Sequence, residues 1–204
     1  MIDKIIQDFL IIWATIDPIG TMALFAGLTA KLTPAEARKT AFKAIAYAAA
    51  VLLGAVIVGQ LLLGAMGISL LSFQLSGGII LFLFGLQMIF SNNSHDDETE
   101  AKHDMAIFPL AIPSTATPGA ILAVILLTDN HIHSIQEQVT TALVMLSVLA
   151  CTLVLLLLST RIIKVIGLGG ASILTRIMGM ILTALSVEFI MEALGVENWI
   201  GGIV

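Results

Sequence analysis

Charged residues are scarce in this chain of 204 residues. They make up 11% of it, whereas hydrophobic residues make up 58%; an ordinary soluble domain is roughly one quarter charged. No Asp, Glu, Lys or Arg occurs between Ala44 and His95, and this stretch is far longer than the roughly 20 residues with which one helix crosses a bilayer. The composition therefore excludes a soluble globular domain and predicts an integral membrane protein, with two spans in this stretch alone.

Cysteines, basic patches and catalytic motifs are also scarce. Cys151 is the only cysteine, so an intrachain disulfide is excluded. No basic patch has an aromatic surface beside it, which argues against nucleic acid as a partner. The sequence contains neither H-E-x-x-H nor G-x-S-x-G, and no second acid lies deep in a predicted span to partner Asp17. We therefore expect no enzymatic activity and no cofactor.

Apolar stretches between charged or glycine-rich segments predict six transmembrane helices. Their approximate bounds are 5–30, 40–63, 69–91, 106–127, 138–159 and 172–195. A β-barrel is not favoured, because the stretches are continuously apolar and do not alternate. The start of the chain is not a typical cleavable signal, since Asp3 and Asp8 lie where such a signal is positively charged. The predicted fold class is an all-α integral membrane protein.

Lysine and arginine are distributed unevenly over the loops of this topology. Eight of the nine fall on one side: Lys31, Arg38, Lys39, Lys43, Lys102, Arg161, Lys164 and Arg176. Lys4 alone falls on the other side. Because basic residues in short loops favour the cytoplasm, the sequence predicts a protein of the cell (inner) membrane with both termini outside.

A polar segment divides the chain into similar halves. We predict a first three-helix repeat at 1–91, a polar cytoplasmic linker at 92–104 and a second three-helix repeat at 105–204. Pro18 corresponds to Pro118 at an offset of 100 positions, and Gly78 corresponds to Gly179 at an offset of 101. Since each half has an odd number of spans, the second half enters the membrane from the opposite side. Such an inverted repeat is typical of secondary transporters.

Histidines occur in two polar segments. His95 and His103 flank acids in the linker, and His131 and His133 follow Asp129. The linker lacks the tight ligand spacing of a metal site, and the H-x-H pair of His131 and His133 lies in a short, exposed polar turn. We interpret both as solvated segments and predict no metal.

Two predicted spans contain a helix-start signal near their middle. Asp is favoured at the N-cap and Pro at the first helical position, so Asp17-Pro18 begins a helix roughly 18 Å into the first span at about 1.5 Å per residue. Thr117-Pro118 repeats the signal in the fourth span. The sequence therefore predicts that helices 1 and 4 break at mid-membrane. Each helix start has free N–H groups that need a partner or a water-filled cavity, so both are expected to face one central chamber.

The residues around these breaks form the predicted substrate site. An intramembrane carboxylate is by default a functional candidate, so Asp17 is expected to take up a proton or to pair with a substrate ammonium. The amides near Gly119 and Ala120 are expected to bind a substrate carboxylate. The predicted substrate-binding set is Asp17, Pro18, Gly20, Thr21, Thr115, Thr117, Pro118, Gly119 and Ala120; Asp17, Gln87 and Glu188 are candidates for coupling or gating. A small zwitterion suits this set.

Three stretches carry a family resemblance: "DPIGTMALFAGLT" at 17–29, "SGGIILFLFGLQMIF" at 76–90 and "FPLAIPSTATPGAI" at 108–121. They resemble the MarC family of six-span inner-membrane proteins, which includes the SnatA-type small neutral amino acid transporters. The resemblance covers essentially the whole chain and implies a secondary transporter of small neutral amino acids that works by alternating access. Thr117 stands where the family commonly has glycine, and Ala23 stands where many members have proline.

Several alternatives stay open beside this prediction. The protein could export another small metabolite or drug-like compound, or have a structural or regulatory role without transport. A channel is less favoured, because predicted spans 2 and 5 offer almost no polar stripe. The coupling proton or cation and the direction of transport are open. The small residues Ala46, Ala50 and Gly54 of span 2 allow a homo-oligomer without requiring one.

Overall fold

The computed structural model describes residues 2–90 and 106–196, and all regular structure in these ranges is helical. The first range contains α1 (Ile2–Ile16), α2 (Pro18–Leu28), α3 (Pro34–Ala65) and α4 (Leu70–Phe90). The second contains an irregular helical segment (Ala106–Thr115), α5 (Pro118–Leu127), α6 (Ile135–Gly167) and α7 (Gly169–Ala193). The predicted linker at 92–104, with His95, Lys102 and His103, lies outside the described residues.

Within the described ranges, five helical stretches are long and apolar enough to cross a membrane. They are α1 with α2, then α3, α4, α6 and α7; the irregular segment with α5 makes a sixth if this pair, bent by 54°, is one span. Large apolar side chains such as Ile57 (70% exposed) and Leu61 (67% exposed) cover the outside of α3. The prediction of an all-α membrane protein with several spans is thereby confirmed.

Two helices, α3 and α6, extend furthest beyond the predicted bounds. Helix α3 begins at residue 34 and not near 40, because Thr33 and Glu36 form a capping box that starts it in polar sequence. Ser134 and Glu137 start α6 in the same way. Helix α6 also continues past the predicted end at 159 to Gly167, whose φ of 69° interrupts the helix. Hydropathy detects only the apolar part of a helix, so polar turns at its ends are missed.

The helices give the molecule two ends. At the first, which we call the Asp8 end, α1, α4 and α6 begin, and a side-chain hydrogen bond of 2.6 Å joins Asp8 of α1 to Thr141 of α6. At the second, the Gln87 end, α2, α4 and α6 finish and α7 begins. Between the two ends α1 packs on α6 through a core that includes the fully buried Ile12, Met145 and Val148.

Helices α4 and α7 run antiparallel and approach each other at glycines. A methyl group on Gly179 would lie 2.9 Å from the carbonyl oxygen of Gly85, and one on Gly85 would lie 3.0 Å from that of Gly179. A methyl group on Gly78 would lie 3.3 Å from the carbonyl oxygen of Ser186. The two backbones therefore approach each other closely at these glycines, with the side chains of Thr183 and Ile190 packed against them, which is how helices pack where lipid offers no hydrophobic drive.

Candidate functional site

Asp17 is the single residue between α1 and α2. Its backbone is left-handed (φ 48°, ψ 70°), a conformation that Asp adopts more readily than most residues. Its amide still donates to the carbonyl of Trp13 at 3.1 Å, and its side-chain Oδ1 accepts the amide of Gly20 at 3.1 Å. Asp17 therefore ends α1 and caps α2, with a side chain that is 5% exposed.

Thr117 has the corresponding place before α5. Its backbone is extended (φ −66°, ψ 156°), and its hydroxyl accepts the amide of Ala120 at 2.8 Å. The same hydroxyl donates to the carbonyl of Thr15 at 2.7 Å. In both caps the side chain accepts the backbone amide of the residue three positions later. The hydroxyl of Thr117 also fastens α5 to the last turn of α1.

A cavity of about 470 Å³ lies beside Asp17 at the Gln87 end. Parts of α2, α4, the irregular segment and the first turns of α7 surround it. Its lining residues are Asp17, Gly20, Thr21, Ala23, Leu24, Phe84, Gln87, Met88, Pro109, Pro113, Ser114, Ala171, Ser172 and Thr175. The volume falls within the range of roughly 300–1,000 Å³ that is usual for small-molecule sites.

Four of the residues predicted from the sequence line this cavity. Asp17 lines it from the break before α2, Gly20 and Thr21 line it from α2, and Gln87 lines it from the last turns of α4. Thr21 also holds the opposite wall, because its hydroxyl donates to the carbonyl of Ser114 at 3.0 Å and accepts from the Ser114 hydroxyl at 3.1 Å. These contacts fix α2 against the irregular segment.

The other predicted residues lie elsewhere. Thr115, Thr117, Gly119 and Ala120 are buried, Pro18 is buried at the start of α2, and Pro118 and Glu188 are exposed without lining the cavity. Gly119 packs against the side chain of Leu81, and the amide of Ala120 is already bonded to Thr117. Substrate binding by these residues, and a coupling or gating role for Glu188, stay predictions; in this structure none of them lines the cavity.

Four polar residues with functional geometry were not among those predicted. Ser114, Ser172 and Thr175 line the cavity. The spacing of Ser172 and Thr175, three residues apart at the start of a helix, is a signal for a shared face that the sequence does contain. The fourth is Asp8, which is 1% exposed; nothing in its local sequence distinguishes it from a surface acid near the N-terminus.

The polar loop after α5 is held by hydrogen bonds within the loop and to Gln60 of α3. The carboxylate of Asp129 accepts the amide of His131 at 2.9 Å and the side-chain amide of Gln60 at 3.2 Å. Among the described residues, no group of three or more His, Cys, Asp or Glu side chains is placed to hold a metal ion. The geometry of Asp129 and His131 is accounted for by the turn and by the contact with Gln60.

Comparison with known proteins gives consistent matches along the chain. The family described as "MarC family integral membrane protein" matches residues 2–199. The UPF0056 membrane protein MJ1677 of Methanocaldococcus jannaschii is 34% identical over 195 residues, which cover 93% of this chain and 95% of that protein. The UPF0056 membrane protein of Buchnera aphidicola subsp. Schizaphis graminum is 29% identical over 197 residues, or 97% and 98% of the two chains.

A third relative carries a more specific name. The UPF0056 inner membrane protein MarC of Citrobacter koseri is 30% identical over 192 residues, which cover 86% of this chain and 87% of that protein. No solved structure gives a significant match.

Proposed function

Because the chain belongs to the MarC family of integral membrane proteins, we propose that it is a secondary transporter of small neutral amino acids in the cell (inner) membrane. The observation that carries this proposal is the cavity beside Asp17, whose wall combines one buried carboxylate with uncharged hydroxyl and amide groups. Such a wall offers one partner for a cation and several hydrogen-bonding groups for the rest of a small polar molecule.

The chemistry of the wall suits a zwitterion. Oδ1 of Asp17 accepts the amide of Gly20, and the carboxylate keeps further acceptor capacity for a substrate ammonium. Across the cavity, Ser172 and Thr175 lie in the first turns of α7. A helix start favours a negative charge, and the hydroxyl groups add donors for a substrate carboxylate. Glycine, alanine and serine are the substrates we expect.

Contacts between α4 and α7 support the inverted repeat. Under the offset of 101 positions, Gly85 corresponds to Ser186 and Gly179 corresponds to Gly78. The contact between Gly85 and Gly179 therefore corresponds to one between Ser186 and Gly78, and the structure contains both. A pair of contacts that exchange in this way is expected for two halves related by a two-fold axis, the arrangement of many transporters.

The distribution of charge supports an orientation for the cavity. Exposed basic residues lie in the loop and helix ends at the Gln87 end: Lys31, Arg38, Lys39, Arg161, Lys164 and Arg176. Basic loops favour the cytoplasm, so we assign the Gln87 end to the cytoplasmic side and the Asp8 end, with both termini, to the outside. The structure then represents an inward-facing state of an alternating-access cycle.

Asp17 is the residue that we assign to coupling. It is buried, and a carboxylate inside a membrane is costly unless it is paired or protonated. A proton or a cation that binds Asp17 would offset this cost whenever substrate is absent. Because the same group would face the substrate ammonium, occupancy by one ligand affects the other, which is the requirement for coupled transport.

A thermal-shift screen of the purified protein against amino acids tests the proposal. A ligand at 100 times its Kd stabilises the folded state by about 2.7 kcal/mol, and each kcal/mol raises Tm by roughly 2–4 °C in a protein of this size. We expect glycine, alanine or serine to raise Tm by roughly 5–10 °C, and Asp17→Asn to abolish the shift. Asp3→Asn, which removes an acid from an exposed position on α1, is the control and keeps it.

Two outcomes separate the proposal from its alternatives. A shift with some other small metabolite or drug-like compound, and none with amino acids, would indicate an exporter of that compound from the same cavity. If a folded protein shows no shift with any small molecule, a non-transport role takes the place of this proposal. Saturable exchange of labelled alanine in proteoliposomes would distinguish a transporter from a channel.

A further inference from the structure

Three side-chain hydrogen bonds join different segments of the chain at the Asp8 end, and all three are of the same type. In each of three bridges a carboxylate of one segment accepts a hydrogen bond from an uncharged side chain of another. None of the six residues lines the cavity beside Asp17. The bridges are Asp8 with Thr141, Glu192 with Gln74, and Asp129 with Gln60.

The bridge between α1 and α6 is the most deeply buried. Oδ2 of Asp8 accepts the hydroxyl of Thr141 at 2.6 Å and lies 3.2 Å from Nζ of Lys4. Asp8 is 1% exposed and Thr141 is fully buried. A buried charge is tolerated only where its partners are all in place, so α1 and α6 are held together at this point.

The other two bridges lie at the same end; one joins α4 to α7, and the other joins α3 to the loop after α5. Nε2 of Gln74, at the start of α4, donates to Oε2 of Glu192, near the end of α7, at 2.9 Å. Nε2 of Gln60, near the end of α3, donates to Oδ1 of Asp129 after α5 at 3.2 Å. Gln60 also accepts the amide of Asn130 at 3.1 Å. Every long helix of the described structure takes part in one of the three bridges.

Their chemistry suits contacts that form and break. Water can replace an uncharged donor at a carboxylate, so opening these bridges leaves no group unpaired. Just inside the bridge between α1 and α6, the seal is apolar, with Ile12 and Met145 both fully buried. Alternating access requires this end to open when the cavity closes at the Gln87 end.

We propose that the three bridges form an outer gate, which keeps the cavity closed from the Asp8 end and opens as a unit. This inference rests on the proposed transport function, because it assigns these bridges to the closed side of the inward-facing state. Asp8, Gln74 and Gln60 act as gate residues and have no direct contact with the substrate.

A cysteine-accessibility experiment tests the gate. In a Cys151→Ala background, Met145→Cys places a reporter one helical turn inside the Asp8–Thr141 bridge. A membrane-impermeant maleimide is added to intact cells, and Ile132→Cys, in an exposed loop at the Asp8 end, confirms that the reagent reaches this side. With the bridges intact we expect slow labelling of the reporter. Thr141→Val, which removes one hydrogen bond to a charged group, is expected to raise the labelling rate about tenfold.

Two further variants test whether labelling depends on the bridges: a matched control beside Thr141, and a variant of the bridge between α4 and α7. Thr140→Val removes a hydroxyl that bonds only the carbonyl of Gln136 in its own helix, and it should leave labelling unchanged. Gln74→Leu breaks the bridge between α4 and α7, yet it should also expose Met145→Cys, because the gate opens as a unit. A purely local packing role for the bridges would not produce this distant effect.

The outcomes separate the gate from the transport proposal. Faster labelling in both Thr141→Val and Gln74→Leu, in a protein that binds no amino acid, would support the gate and overturn the substrate assignment. If both variants elute as folded protein and label no faster than Thr140→Val, the gate does not exist, whatever the protein transports. If Thr141→Val does not fold, Gln74→Leu alone decides between these results.

Discussion

Replacing Gly179 with alanine tests the close contact between α4 and α7. The added methyl group would lie 2.8 Å from Cβ of Met88, 2.9 Å from the carbonyl oxygen of Gly85 and 3.1 Å from Cγ1 of Ile89. None of these atoms is the free end of a flexible side chain, so the helices themselves have to separate. Overpacking of this kind costs about 1–3 kcal/mol, against a gain of about 0.5–1 kcal/mol from replacing a helical glycine.

Gly54→Ala is the matched control for this substitution. Gly54 lies inside α3, and a methyl group there would meet nothing within 4 Å. Only the helix-propensity gain applies, so Gly54→Ala should raise stability by about 0.5–1 kcal/mol. Gly179→Ala should instead lower it by about 1–2 kcal/mol, since the contact involves backbone.

Thermal unfolding of the two variants in the same detergent measures this difference. A gap of about 1.5–3 kcal/mol corresponds to roughly 3–12 °C between their Tm values, with Gly179→Ala the lower. Equal Tm values, or a more stable Gly179→Ala, would mean that α4 and α7 are not in backbone contact. In that case the paired contacts that support the inverted repeat would be lost as well.

Two further substitutions examine the helix caps. Thr117→Val should lower stability by about 1–3 kcal/mol, because the buried amide of Ala120 and the carbonyl of Thr15 both lose their hydrogen-bond partner. The control Thr117→Ser keeps the hydroxyl and should unfold near the parent Tm. Gly20→Ala places a methyl group against the carboxylate of Asp17 and should abolish ligand-induced stabilisation. Gly27→Ala in the same helix, which has open space around it, should retain that stabilisation, and equal ligand shifts in both variants would refute the role of Asp17.

Local chemistry made part of this structure predictable. The helix starts at Pro18 and Pro118 follow from cap residues that bond an amide three positions on, and such signals are read within a few residues. The spans could also be predicted, because each is a long apolar stretch that is visible in contiguous sequence. Of the predicted site, Asp17 and Gln87 come together at one cavity although 70 positions separate them.

The other features of the site depend on which helices pack against each other, and the sequence alone does not indicate this. Asp8 is buried where α1 packs on α6, and Thr141, 133 positions away, donates to it there. Ser172 and Thr175 reach the cavity because α7 begins beside α2 and α4, and a hydropathy pattern carries no information on which helices are neighbours. Thr117 resembles Asp17 in sequence, yet its hydroxyl is used to fasten α5 to α1 and is not directed into the cavity wall.

A rotation of α4 against α7 at their glycine contact would move the helix ends further than the helix centres. Gln74 lies 11 residues before Gly85 on α4, which is about 16 Å at 1.5 Å per residue. If the helices pivot where Gly85 meets Gly179, a rotation of about 10° displaces Gln74 by about 3 Å, and domain motions of this size are common. That displacement would carry the 2.9 Å bond to Glu192 well beyond hydrogen-bonding range. A small rotation at this close contact would thus produce a larger displacement at the end of α4.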